Sequence, residues 1–358
     1  MRSSKEPMQA DKGTISIQLV SEAIYELQRG GADVRQLLEQ AGIAPGLLAK
    51  PYARVSCEQY AQLWLALAQR TDDEFFGLNA RRMKVGSFAF MARTASQEPT
   101  LERALQGALR FLGLIFEDLT PRLQRAGGMA EIVLEQAPGS VSTRGRAFAD
   151  FTMWMIVHGL ACWLVGRRIP IIAIEVQRPK PDYIEDYRVM FSENLRFNRP
   201  QSRLLFNAQW LDLPIRRSAE ELKLFLRTAP QGILVKYRDP QSHAARIKTY
   251  LRAMKPERWP DIEAISAYFF MAPSTLRRKL SQEGQSYQSL KDHVRRDMAI
   301  SRLDQGEINF NDLAFDLGFA DASAFYKAFK KWTGSTPGQY HSMMYPQGSA
   351  TVKTAQTD

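Results

Sequence analysis

The chain has 358 residues, of which 45% are apolar and 24% are charged, so it is long enough for two globular domains. Two isolated cysteines, Cys57 and Cys162, exclude a disulfide scaffold and offer no zinc-binding pattern. The net charge of +10 favours an anionic partner, and nucleic acid is a common one for a basic protein.

The amino-terminal segment 1–14 has a basic start with no apolar run behind it, so we predict a disordered start without a secretory signal. The most apolar stretch, Phe151 to Val165, spans about 15 residues, short of the roughly 20 that cross a bilayer. We therefore expect a cytoplasmic protein without a membrane partner, in which this stretch is a buried helix.

Residues 15–227 are predicted to form an α+β domain that is rich in helices. Two predicted strands, 122–126 and 129–136, flank Gly127-Gly128, a pair that tolerates the positive φ angles of a tight hairpin. Apolar periodicity and capping residues predict the other elements. These are helices over 15–49, from Ser56 onward, 101–117, 147–165, 182–191 and 219–226, and strands over 169–176 and 195–206.

A linker is predicted over 228–243, because Pro230, Gly232 and Pro240 interrupt regular structure there. From Ala244 onward the periodicity is entirely helical, so the second domain, 244–343, is expected to be all-α. The polar tail 344–358 is predicted to be disordered.

A helix-turn-helix pattern is clearest between Asn311 and Trp332. Gly318 can end the first helix in the left-handed conformation, and Asp321 can cap the helix that begins at Ala322. Apolar side chains fall on the inward faces, which leaves a cationic, hydrogen-bonding outer face of the kind that a major groove admits. That outer face carries Ala322, Ser323, Tyr326, Lys327, Lys330 and Lys331.

The same plan occurs about fifty residues earlier in the chain. Asp261–Phe269 is the predicted supporting helix, and Ser274–Gln282 is the predicted presented helix. Arginine on such a face is well shaped for bidentate contact with guanine. The outward face carries Ser274, Thr275, Arg277, Arg278 and Lys279.

A long amphipathic helix, Tyr287–Leu303, is predicted between the two units because Leu290, Val294 and Met298 recur every four residues. Such a helix would hold the presented helices in successive major grooves, about 34 Å apart on one face of DNA. The side chains then expected near phosphates are His293, Arg295 and Arg296.

The run from Gly318 to His341, GFADASAFYKAFKKWTGSTPGQYH, resembles the signature of AraC/XylS-type transcription regulators. The resemblance covers about 244–343 and implies an all-helical reader of asymmetric promoter sites. It implies base-reading roles for Ser274, Thr275, Arg278, Ala322, Ser323, Tyr326 and Lys327. Phosphate contacts are expected for Arg277, Lys279, Arg295, Arg296, Lys330 and Lys331.

Two positions of the first unit depart from the family pattern, which usually has a small residue at the turn and Ser or Thr as the cap. Here these positions hold Phe270 and Ala272. Because a missing cap costs on the order of 1 kcal/mol, the first unit is predicted to be the less stable one. Ala322, which cannot donate a hydrogen bond from its side chain, can contact only a thymine methyl group.

The segment Asp186 to Pro214 resembles the end of an arabinose-binding-like α+β sensor domain found in some of these regulators. The resemblance implies effector binding and dimerisation for the first domain.

Three features of the first domain bear on other functions. His158 and Cys162 lie four residues apart, as two metal ligands could, but their apolar neighbours favour a packed core and no metal. Six aromatic residues could line an effector cavity or form plain core: Phe88, Phe90, Phe111, Phe116, Trp154 and Trp163. Few histidines are available as catalytic bases, so neither an enzyme nor a cofactor is expected.

The sequence as a whole predicts a transcription regulator, an activator, that binds double-stranded promoter DNA and contacts RNA polymerase. Its first domain is expected to dimerise and to bind a small effector. In the alternative hypothesis, the first domain is a constitutive dimerisation module that binds a protein partner and no small ligand.

Overall fold

A computed structural model describes residues 14–136, 147–237, 243–282, 285–303 and 309–344. The segments predicted as a disordered start and tail lie outside these ranges, except for their innermost residues. Thr14 begins a strand and Met344 ends a helix.

The first domain is built from helices around one main sheet. Its helices are α1 (Ile17–Arg29), α2 (Arg35–Gln40), α3 (Cys57–Thr71), α4 (Ser87–Ser96), α5 (Leu101–Ile115), α6 (Ala147–Val165), α7 (Ile184–Met190), α8 (Ala219–Thr228) and α9 (Gln231–Tyr237). Its strands are β1 (Thr14–Ser16), β2 (Arg54–Ser56), β3 (Leu119–Ala126), β4 (Met129–Gln136), β5 (Ile171–Glu175), β6 (Leu195–Arg196) and β7 (Ser202–Asn207).

The second domain contains only helices among its described residues, as predicted. They are α10 (His243–Arg252), α11 (Ile262–Tyr268), α12 (Pro273–Gln282), α13 (Tyr287–Leu303), α14 (Phe310–Asp316), α15 (Ala322–Thr333) and α16 (Pro337–Met344). The bounds of α13 are those expected from its periodicity.

The main sheet has the strand order β3-β4-β7-β5-β6, and β1 and β2 pair separately. The predicted hairpin is confirmed: Gly127 and Gly128 connect β3 to β4 with φ angles of 56° and 84°. The single strand predicted over 195–206 is wrong, because Asn198 takes a left-handed φ of 55° and the chain turns there. As a result β6 pairs parallel to β5 at the edge, and β7 lies between β4 and β5.

Helix α6 runs through the centre of the first domain. It is long and apolar enough to cross a membrane, but 89% of its most apolar window is buried inside the protein, as in a core helix. His158 and Cys162 lie on it and are both buried, with His158 Nε2 2.9 Å from the carbonyl oxygen of Ile169. This matches the packed-core interpretation of these two residues.

The six aromatic residues considered as a cavity lining divide between core and surface. Trp154 and Phe116 are buried, and Trp163 stacks on Phe225 with ring centroids 4.4 Å apart. Phe90, in contrast, is 56% exposed and contacts Phe111 at 5.3 Å.

The linker predicted over 228–243 is shorter in the structure, because α9 occupies half of it. Ile233 and Leu234 of this helix are 6% and 0% exposed and belong to the core of the first domain. Pro230 does not interrupt structure here: its carbonyl accepts hydrogen bonds from the amides of Ile233 and Leu234, so it begins the helix. The connection between the domains falls at 238–242, outside the described residues.

Candidate DNA-binding surface

In the second helix-turn-helix unit, formed by α14 and α15, the residues of the turn suit the backbone conformation that they adopt. Gly318 takes a φ of 73°, a conformation that costs glycine little. Asp321 caps α15, since its Oδ1 accepts a hydrogen bond of 2.7 Å from the amide of Ala324. The predicted break and cap are therefore both confirmed.

Helix α15 is held by an aromatic core. Phe325 and Phe329 are fully buried, and their rings meet edge to face at 5.7 Å. The predicted outer residues lie on the other side of the helix. Ser323, Lys327, Lys330 and Lys331 are exposed, and Ala322 and Tyr326 are half-buried.

The first unit, α11 and α12, presents a similar face over its own core, in which Leu276 and Leu280 are buried. Of the predicted outer residues, Ser274, Arg277 and Arg278 are exposed, and Thr275 and Lys279 are half-buried. Arg277 pairs with Glu263 at 3.3 Å, but both side chains are more than half exposed, so this ion pair is weak.

The turn of the first unit contains the two residues that depart from the family pattern. Phe270 has a φ of 55°, the left-handed region that disfavours residues with a Cβ, and its side chain is 97% exposed. Ala272 provides only its backbone carbonyl, which accepts a hydrogen bond of 3.0 Å from the amide of Leu276. Its methyl side chain cannot cap α12.

Helix α13 connects the units, and two of its three arginines, the predicted phosphate contacts Arg295 and Arg296, make contacts within the protein instead. Arg295 donates to the carbonyl of Leu317 at 3.0 Å and lies over the ring of Trp259. Arg296 is 7% exposed and donates to Asp297 at 2.9 Å. Both side chains are therefore engaged within the protein and are not free to contact phosphates.

The second unit also packs on the first domain, which the sequence did not predict. One hydrophobic cluster joins Met129, Ile172 and Leu205 of the sheet to Phe325 and Phe329 of α15. The packing buries one face of the sheet against the DNA-binding domain.

Polar contacts surround this interface. Ser335 donates to the carbonyl of Gly127 at 2.5 Å, and Asn207 donates to the carbonyl of Lys331 at 3.3 Å. The backbones of Gly128 and Gly334 pass so close that a methyl group on either residue would overlap the carbonyl of the other. No side chain fits between the two domains at this point.

A buried carboxylate, that of Glu175, lies at the other edge of the interface between the two domains and pairs with several arginines. Glu175 is 2% exposed and pairs with Arg196, Arg199 and Arg203 at 2.6 to 3.4 Å. Arg196 in turn donates to the hydroxyl of Tyr340 on α16 at 2.8 Å. The charge network of the first domain therefore holds the last helix of the second.

Both domains resemble known families. Residues 31–215, just over half of the chain, match the N-terminal arabinose-binding domain of AraC transcription regulators, and residues 265–343 match a helix-turn-helix domain. An ornithine utilization regulator of Pseudomonas aeruginosa is 26% identical over 327 residues, which cover 89% of this chain and 94% of that protein. VirS, a transcriptional regulator of Mycobacterium tuberculosis, is 24% identical, with 87% and 91% covered.

Two further matches differ in extent. A urease operon transcriptional activator of Escherichia coli is 30% identical over 104 residues, which are 29% of this chain and 34% of that protein. The crystal structure of the transcriptional regulator CdpR of Pseudomonas aeruginosa covers 94% of this chain and 99% of its own, at 18% identity and a TM-score of 0.29. The two family matches, together with the paired helix-turn-helix units, place this protein in the AraC family of DNA-binding transcription regulators.

Proposed function

We propose that this protein activates transcription by binding promoter DNA through α12 and α15, under the control of its first domain. The observation that carries the proposal is the pair of presented helices, each with exposed polar and cationic residues, joined by the single helix α13. Such a pair can enter successive major grooves on one face of the duplex.

The proposed roles of the side chains follow from their positions. Ser274, Thr275, Arg278, Ala322, Ser323, Tyr326 and Lys327 read base edges. Arg277, Lys279, Lys330 and Lys331 contact phosphates. Arg295 and Arg296 are left out of this set, since they are engaged within the protein.

The first domain controls DNA binding through the interface with α15 and α16. A signal that changes the docked arrangement shifts the population of DNA-binding geometries, which is the general basis of such coupling. One relative is named for ornithine utilization, which supports a small metabolite as the kind of signal. Dimerisation through the first domain and contact with RNA polymerase complete the proposed mechanism.

A second candidate function makes the first domain a dimerisation or protein-binding module without a small ligand. Exposed apolar side chains on two helices of the first domain favour it: Phe90 is 56% exposed on α4 and Leu114 is 73% exposed on α5. Sedimentation of the wild type and of Leu114→Ser tests this function, since a dimer that depends on these side chains dissociates in the variant.

Selection of genomic DNA fragments by the purified full-length protein, at a fixed salt concentration near physiological, tests the proposed function. We expect an asymmetric motif with two blocks about one helical turn apart. The matched control is the double variant Arg278→Ala, Lys327→Ala, which should lose the motif and keep weak general binding. Enrichment of the same fragments by wild type and control would overturn the proposal.

A further inference from the structure

A cavity of about 330 Å³, open to solvent on the side where Arg167 and Lys331 are exposed, lies between the two domains beside the contact of α15 with the sheet. The first domain contributes Arg167 and Trp210 to its wall, and the second contributes His293, Lys331 and Trp332. This volume is within the range of small-molecule sites in proteins, roughly 300 to 1,000 Å³.

The wall of the cavity carries more positive than negative charge. Arg167, Arg296 and Lys331 line it, and Asp292 is the carboxylate among its lining residues. Arg296 is already paired with Asp297 at 2.9 Å. Within the described ranges, Arg167 and Lys331 have no carboxylate partner, so one cation from each domain is available to an anion.

His293 adds a neutral polar group to the same wall. Its Nδ1 atom is buried and has no hydrogen-bond partner among the described residues. Burial, and then the positive charges of Arg296 and Lys248, lower the pKa of His293 to about 3, so its imidazole is uncharged near neutral pH. An uncharged imidazole can pair with either a donor or an acceptor of a ligand.

Two indole rings give the cavity an apolar part. Trp210 and Trp332 come from different domains, and the guanidinium of Arg167 lies 5.9 Å over the ring of Trp210. Indole faces favour an apolar or planar organic group, which inorganic phosphate lacks. Asp292, on the same wall, also disfavours a doubly charged anion.

We propose that this cavity binds a small organic carboxylate, with its charged group between Arg167 and Lys331 and its apolar part against Trp210 and Trp332. The inference rests on the proposed function, because it assigns the site and the chemical class of the effector. A ligand that bridges the two domains stabilises their docked arrangement, and docking in turn raises the affinity for the ligand.

Calorimetric titration of the full-length protein with benzoate and with hexanoate tests the site. We expect saturable binding of both carboxylates and none of benzamide or inorganic phosphate. Arg167→Gln and Lys331→Gln should each weaken binding about tenfold, as expected for the loss of a charge-assisted contact. Arg110→Gln, which changes an exposed arginine of α5 away from the cavity, is the matched control and should bind as the wild type does.

Three results would overturn the inference. They are the absence of saturation up to about 1 mM carboxylate, equal binding of benzamide or phosphate, and undiminished binding by both cavity variants. Fragment selection with the wild-type protein separates the two proposals; the Lys331→Gln variant is left out of this comparison because Lys331 is also a proposed phosphate contact. Specific DNA binding without carboxylate binding would refute only the proposed carboxylate site. Carboxylate binding without specific DNA binding would refute only the proposed function.

Discussion

The two helix-turn-helix units have the same layout but different turns. In the second unit, Gly318 accepts the left-handed backbone and Asp321 caps the following helix. In the first, Phe270 adopts the same left-handed conformation with a bulky side chain, and Ala272 cannot cap. Local chemistry therefore makes the second unit the more stable of the two, by an amount on the order of 1 kcal/mol for the cap alone.

The two units also differ in which domains supply the residues of their hydrophobic cores. The core of the first unit consists of residues of the second domain only, such as Ile247, Leu276 and Leu290. The core of the second unit continues into the sheet of the first domain through Met129, Ile172 and Leu205. The unit with the better turn chemistry is thus the one whose core is completed by the first domain.

The largest expected effect comes from removing apolar volume at the shared core. Ile172→Ala should lower the free energy of unfolding by about 2 to 5 kcal/mol, because this fully buried side chain leaves a cavity. Amide hydrogen exchange should rise in α14 and α15 and stay unchanged in α11 and α12.

The matched control for this variant is Ile174→Ala, on the same strand but in the core of the first domain. Ile174→Ala should lower the free energy of unfolding by a similar amount, but it should not raise amide hydrogen exchange selectively in α15. Equal exchange in both units for both variants would contradict the idea that only the second unit shares its core.

Removing one base-reading side chain from each unit tests whether both units read DNA. Arg278→Ala and Lys327→Ala should each cost about 1 to 3 kcal/mol of binding free energy and relax the preference at different bases. Lys330→Ala should weaken all sequences evenly and reduce the salt slope by about 1. Binding titrations over several salt concentrations measure all three, and identical behaviour would refute the assignment of base and phosphate contacts.

Acidification should loosen the docked arrangement through His293. Its pKa is lowered to about 3 while docked, by burial and by Arg296, Lys248 and Arg168, with Asp297 acting in the opposite direction. A free imidazole has a pKa of about 6.5, so an undocked form in which His293 is more exposed binds a proton at a higher pH than the docked form does. Stability of the docked form is therefore greatest above about pH 6.5 and falls as the pH drops below it, by only the part of the pKa shift that docking causes, because Arg296 and Lys248 stay beside His293 in the second domain.

Hydrogen exchange at α15 as a function of pH measures this effect. His158 also has a pKa lowered to about 3 by burial, but it lies in the core of the first domain, so global unfolding would mix the two contributions. His293→Gln should flatten the pH profile at α15. An unchanged profile would show that another group controls it.

The smallest expected effects come from exchanging the turn chemistry of the two units. Phe270→Gly should stabilise the first unit by about 0.5 to 1 kcal/mol by relieving the left-handed strain, less the added freedom of the unfolded chain. Ala272→Ser should add about 1 kcal/mol by capping α12. Thermal melts and exchange protection of α11 and α12 measure both, and Gly318→Ala should show the reverse effect in the second unit.

Local patterns in the sequence correctly predict the helices and caps that are determined by residues close together in the chain. The helix Tyr287–Leu303 and the cap at Asp321 depend on residues within a few positions, and both are present in the structure. Helix α9 was missed because Pro230 and Gly232 suggested a break, although its burial against the first core favours a helix.

Contacts between the domains could not be predicted from periodicity. Arg296 is predicted to face phosphates because arginine on an amphipathic helix usually lies at the surface, yet its side chain is buried and pairs with Asp297. The cavity near Lys331 could not be predicted from local patterns either. Half of its wall comes from residues that lie more than one hundred positions away from Lys331 along the chain.

The contact of Gly128 with Gly334 limits how these domains can be recombined. A hybrid that joins this DNA-binding domain to the first domain of another protein, in the same docked arrangement, would need a glycine at the tip of that domain's hairpin and another after α15. With any larger residue at either place, the two domains could not approach as closely and would meet at a different angle.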